Sequence, residues 1–222
     1  MLITLNVKLK MKFKNVVFLL MLLKMCVVFG QNSIHQKRIV IDVGHGGNDS
    51  GAIGVNGIQE KDIVLNIAKE IIRLNKMILD DRFDIYLTRY KDTLISLTDR
   101  TKLARILKAD LFISLHCNQV ENSKARGTEV FVSNTKGKYL RQSILMGYLI
   151  NSKMVKELGL NGRGVKFANF LVLRETVDYC PSVLIEIAFL SNWDEAELMK
   201  AIHRKREYAL TILNSIIKYQ GE

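Results

Sequence analysis

Proline is nearly absent, with one residue in 222, and the 14 glycines follow no period. That excludes collagen-like, mucin-like and proline-rich low-complexity chains. Three cysteines are far too few for a disulfide scaffold. After residue 40 no apolar run approaches the ~20 residues needed to span a bilayer. Acidic residues are outnumbered, 22 against 33 Lys and Arg, which leaves a net charge of +11. What is present is a 48% apolar chain long enough to bury a substantial core.

The first thirty residues read as an export signal. Lys8, Lys10, Lys12 and Lys14 precede the apolar core VVFLLMLL (Val16 to Leu23), and Val28 and Gly30 are small residues suited to cleavage before Gln31. Met11 offers an alternative start. Removing residues 1–30 takes away five lysines and no acid, so the net charge falls from +11 to +6. A modest positive excess on an exported chain favours anionic wall polymers. Beyond HRKRE (203–207) there is no basic block, so no nucleic-acid partner is expected. Residues 31–37 read as a short lead-in, and 38–222 as one domain.

In that domain short β-branched runs alternate with helical patterns. Strands are expected at RIVIDV (38–43), FDIYLT (83–88), DLFISLH (110–116), TEVFVS (128–133), FLVLR (170–174) and SVLIEIAF (182–189). Ile63, Ile67, Ile71, Leu74 and Ile78 mark one face of a helix from Glu60 to about Leu79. A second helix opens at Ser96 with Asp99 as its capping-box partner. A third runs from Tyr139 to Leu158 and stops at Gly159. The pattern from Asn192 to Lys218 breaks near residue 200. This predicts an α/β fold: a single domain with a mostly parallel twisted sheet of about six strands and helices on both faces. TEVFVS follows its predecessor too closely for a helical crossover and is a candidate antiparallel member.

Sites in such folds form beyond the carboxyl ends of the strands. His45 follows the first strand, His116 ends the third run, Glu186 lies late in SVLIEIAF, and Glu60 opens the first long helix. Two imidazoles and one carboxylate make a Zn2+ set that leaves one position open, and a second carboxylate can serve as general base. Glu186, between Ile185 and Ile187, costs several kcal/mol to bury unless something compensates it. The segment GHGGNDSGAIG fails as a dinucleotide loop, because Asp49 stands where a glycine is required. No G-x-S-x-G elbow exists. Cys117 next to His116 points to the opposite strand face, and a Cys117–Cys180 disulfide is not expected.

IVIDVGHGGNDSGAIG, GIQEKD, LTRYKD, LTDRTKLARILKADLFISLHCN, GTEVFV, GRGVKFANFLVLRET and PSVLIEIAFLSN together resemble the zinc-dependent N-acetylmuramoyl-L-alanine amidases over about residues 38–215. The resemblance implies His45, Glu60 and His116 as zinc ligands and Glu186 as catalytic residue. It also implies cleavage of the amide between the lactyl group of N-acetylmuramic acid and L-alanine in peptidoglycan. A monomer is expected, and the export signal directs it to the periplasm, cell wall or medium. Arg89, Arg100, Asn118 and Arg174 match recurrent positions and are read as structural. Val43, Ser50 and Ala188 depart from the usual pattern. Ten residues between His116 and Gly127 leave no room for a blocking helix. The competing readings are a wall-binding protein without activity and a zinc peptidase cutting within the stem peptide.

Overall fold

The computed structural model describes residues 15–18, 20–21 and 36–221. The chain divides into two units, Met1–His35 and Gln36–Glu222. In the first, residues 15–18 and 20–21 are helical, and the rest of the expected export signal lies outside the described residues. Among the described residues no helix is long and apolar enough to cross a membrane.

The second unit holds one six-stranded sheet. Its elements are β1 (Arg38–Val43), α1 (Glu60–Leu79), β2 (Asp84–Leu87), α2 (Leu97–Ile106), β3 (Leu111–Asn118), β4 (Thr128–Ser133), α3 (Leu140–Leu158), β5 (Gly162–Ala168), α4 (Leu171–Arg174), β6 (Ser182–Phe189), α5 (Trp193–Leu198) and α6 (Ile202–Tyr219). The strand order is β2-β1-β3-β6-β4-β5. β2, β1, β3 and β6 are parallel, β4 runs antiparallel to β6, and β5 is parallel to β4. TEVFVS is therefore antiparallel to its β6 neighbour, and the connection from β3 to β4 contains no helix.

Strand alternation sorts the side chains into two cores. Ile39, Ile41, Ile113, Leu115, Val183 and Ile185 pack with α1, α3 and α6, while Val40, Phe112 and Leu184 pack with Ala104 of α2 and Val172 and Leu173 of α4. Helices thus cover both faces, as an α/β sheet buried on two sides requires. Cys117 belongs to the first core and Cys180 to the second, and both thiols are free and buried.

The helix ends follow the sequence signals. Asp99 N–H donates to Ser96 Oγ (3.1 Å), and that hydroxyl donates in turn to Asp99 Oδ2 (2.7 Å). Gly159 caps α3 at φ 66, a left-handed conformation that glycine adopts without a Cβ penalty.

One strand assignment needs correction. FLVLR is not a strand: Leu171–Arg174 forms the helical turn α4, with Arg174 N–H bonded to Phe170 O and Glu175 N–H to Leu171 O. A five-residue apolar run fits either conformation, and here burial of Val172 and Leu173 under the sheet decides it. The fifth strand is instead GRGVKFA. Its glycines and cations suit an outermost strand with one unpaired edge.

Candidate metal and catalytic site

His45 lies two residues beyond β1, in a loop held from beneath by two buried arginines. Arg89 donates to the carbonyls of Val43, Gly44 and Lys61, and Arg100 to those of Val43, Ile95 and His45. Arg100 also pairs at 2.8 Å with buried Asp42, which accepts from Thr88 and Ser114 as well. A buried guanidinium with this many acceptors is well satisfied, and the result is a fixed platform under the loop. His45 itself has φ 57, uncommon for a residue with a side chain and a mark of conformational strain at a site.

The register of the sheet sets the other two groups side by side. His116 of β3 and Glu186 of β6 are direct partners, one step beyond the pair Leu115–Ile185. Glu60 is the first residue of α1, where the amino end of a helix favours an anion. It is 2% exposed, and its Oε1 lies 3.1 Å from His45 Nε2 and 2.9 Å from His116 Nδ1. The Cys117 N–H donates to the same oxygen and the Ala52 N–H to Oε2, each at 2.8 Å.

One ligand atom from each of His45, Glu60 and His116 falls within 4.8 Å of the others. The donor chemistry fits a divalent cation. Asp49 Oδ2 lies 2.9 Å from His45 Nδ1 and can accept the Nδ1 proton, which would leave Nε2, on the Glu60 side, available to a cation. The surroundings are cut to this arrangement. A Cβ on Gly51 (φ +62) would stand 2.5 Å from Glu60 Oε2 and from the His45 ring, and one on Gly44 2.6 Å from the His116 ring. Gly51→Ala is therefore expected to weaken metal binding about tenfold or more, as read by competition with a chromophoric chelator. Unchanged affinity would show that the cradle does not shape the ligands.

Charge in this cluster is uneven. Burial alone would raise the Glu60 carboxyl, but hydrogen bonds to His116 and His45 outweigh it and bring it down to about 2. Burial likewise pushes on Glu186 and, with the charges of Glu60 and Glu129 adding to it against those of His116 and His45, its pKa rises to about 7. Glu186 Oε2 is enclosed and has no hydrogen-bond partner. An acceptor left without a partner in the second half of a packed strand is a candidate for proton transfer rather than for structure.

A profile of the N-acetylmuramoyl-L-alanine amidase family matches residues 39–218. The chain belongs to that family. Among amidase relatives, LytC of Bacillus subtilis is 36% identical over 189 residues, covering 85% of this chain and 36% of LytC. The endolysin of Bacillus phage SPP1 is 40% identical over 166 residues, 74% of this chain and 59% of the endolysin. The chain thus spans between about a third and three fifths of the length of these two. An N-acetylmuramoyl-L-alanine amidase structure from Clostridium difficile 630 superposes with a TM-score of 0.76 at 31% identity, covering 83% of this chain and 97% of that one.

The four residues singled out in the sequence, His45, Glu60, His116 and Glu186, all lie at the carboxyl rim of β1, β3 and β6. Arg89 and Arg100 have the structural part expected of them. Several contributors escaped the sequence reading. Asp49 orients His45, four positions on in the glycine-rich loop. Glu195 of α5 accepts from the N–H groups of Phe189 and Gly127, tying the end of β6 to the start of β4. Glu129 of β4 is buried and is the register partner of Glu186 on the antiparallel side. Its signal was present in TEVFVS: alternation puts Glu129 on the face opposite Val130 and Val132, the face that Glu186 occupies.

Cys117, the neighbour of His116, is not suited to act as a nucleophile. Burial pushes the Cys117 thiol well above its usual value, with nearby carboxylates adding to the effect, and a buried thiol of that kind makes a poor nucleophile.

Proposed function

We propose that the chain is a zinc-dependent N-acetylmuramoyl-L-alanine amidase that hydrolyses the bond between the lactyl group of N-acetylmuramic acid and L-alanine. The observation that carries this reading is the unpartnered Glu186 carboxylate, register partner of one member of a His45–Glu60–His116 cluster. His45 Nε2, His116 Nδ1 and Glu60 would hold the cation. When bound, Zn2+ supplies Lewis-acid polarisation of a carbonyl and lowers the pKa of water.

The chain's own residues do the rest. Glu186 accepts the proton of the attacking water at its carboxylate and delivers it to the departing alanine nitrogen. Its pKa of about 7 suits both directions of transfer near neutral pH. Asp49 keeps the His45 Nδ1 proton in place. The N–H groups of Cys117 and Ala52 hold Glu60 against rotation, so the ligands are set before substrate arrives. The site is read as acting on peptidoglycan outside the cytoplasm, by a monomer exported through the leader at residues 1–30.

The test is product analysis. Purified sacculi treated with the full chain are expected to release stem peptides with a free L-alanine amino group, and a chelator is expected to stop the release. Fragments cut inside the stem peptide would instead identify a peptidase, and binding without release a wall-binding protein.

A further inference from the structure

β5 carries a feature that none of the four site residues explains. Between Thr128 and Val130 β4 advances two residues, while β5 advances three, from Gly162 to Val165. The extra residue is accommodated at Gly164, whose φ of +81 favours glycine. Its consequence is a change of face. Arg163 and Lys166, three apart, would fall on opposite sides of a regular strand; the bulge turns both toward Glu129. Arg163 Nε donates to Glu129 Oε1, and Lys166 Nζ lies 2.8 Å from the same oxygen.

Two cations thus meet one buried carboxylate, which leaves one positive charge in excess. Both side chains remain substantially open to solvent, 41% for Arg163 and 40% for Lys166, whereas Glu129 is 5% exposed. Glu129 is the antiparallel partner of Glu186, which puts the two Cβ atoms about 5 Å apart. The cations therefore stand one side chain beyond the reacting centre. The opposite flank has another character: a cavity of ≈ 680 Å³ whose lining includes His45, His116, Leu94, Leu97, Asp49, Asp99 and Arg100, the last already paired with buried Asp42. Excess positive charge on one side thus faces a groove on the other whose apolar walls carry two acids and one internally paired arginine, so the two flanks differ in charge.

We propose that Arg163 and Lys166 bind a carboxylate on the peptide side of the scissile amide, with the uncharged sugar directed to the Leu94–Leu97 groove. This assignment rests on the amidase reading above. The acidic residue that follows L-alanine in a muramoyl peptide supplies such a carboxylate, and amidation of that residue removes it. Arg163 and Lys166 act in recognition only.

The experiment compares muramoyl-L-alanyl-D-isoglutamate with its isoglutamine amide on the full zinc-loaded chain. Equilibrium binding is measured to the Glu186→Gln variant, and turnover to the parent. The acid form is expected to bind about tenfold tighter than the amide, the worth of a charge-assisted hydrogen bond. Lys166→Gln, which leaves Arg163 on Glu129, is expected to reduce that ratio severalfold, and Lys166→Arg to retain it. Equal binding of the two compounds, no binding of either, or a ratio that Lys166→Gln leaves untouched would overturn the proposal. Absence of turnover on both compounds would overturn the amidase reading instead, while the binding ratio still decides this one.

Discussion

Replacing Glu186 with glutamine is expected to lower kcat on sacculi about 10²–10⁴-fold, the usual worth of a positioned general base. The substitution keeps the shape of a side chain that already lacks a hydrogen-bond partner, and it removes a carboxylate that burial penalises, so the fold is expected to persist. KM and metal content should change little, because Glu186 is not among the three clustered ligands. The pH profile gives an independent reading. Glu186 must be ionised to accept a proton, so kcat/KM rises with pH along an acid limb. That limb lies at or below about 7, since a bound cation beside Glu186 favours the carboxylate. In the glutamine variant the residual rate should lose the limb. A variant that cuts at the parent rate, or keeps the parent's acid limb, would remove Glu186 from the reaction.

Replacing Glu60 with glutamine is expected to reduce metal affinity more than about 100-fold, beyond what loss of a supporting contact costs. The substitution takes a charged oxygen from the point where both imidazoles converge, and activity falls with occupancy. It also changes the metal-free protein. Glu60 titrates at about 2 in the folded chain against an ordinary value of 4.5. A lowered carboxyl stabilises the fold above about pH 4.5 and loses that contribution as pH falls toward 2. Metal-free Glu60→Gln should therefore show a shallower acid dependence of its urea midpoint over this interval. An acid dependence identical to the parent's would mean that the Glu60–histidine contacts do not stabilise the fold.

How far the sequence foretold this arrangement varied with the kind of signal. The α/β architecture followed from long periodic stretches, and α1 and α3 came out where the apolar spacing put them. The candidate site was legible because His45 and His116 stand at the ends of strands and Glu186 interrupts an apolar run. Glu60 was less so: an acid at a helix start has an ordinary electrostatic reason to be there, and only the resemblance singled it out. The failures have local causes. FLVLR is too short for its apolar residues to reveal a period, and its helical turn is set by the sheet beneath it. GRGVKFA lacks alternation because a bulge at Gly164 breaks the strand's two-residue repeat. The same bulge hid the meeting of Arg163 and Lys166 on Glu129. That meeting depends on register between distant strands, which no local window contains.

Extended X-ray absorption on the zinc-loaded chain addresses the central claim most directly. The expected result is one zinc per chain, coordinated by two imidazole nitrogens with oxygen completing the set, and the loss of one imidazole in each of His45→Ala and His116→Ala. A spectrum unchanged by either substitution, or dominated by sulfur, would place the ion elsewhere and contradict the account.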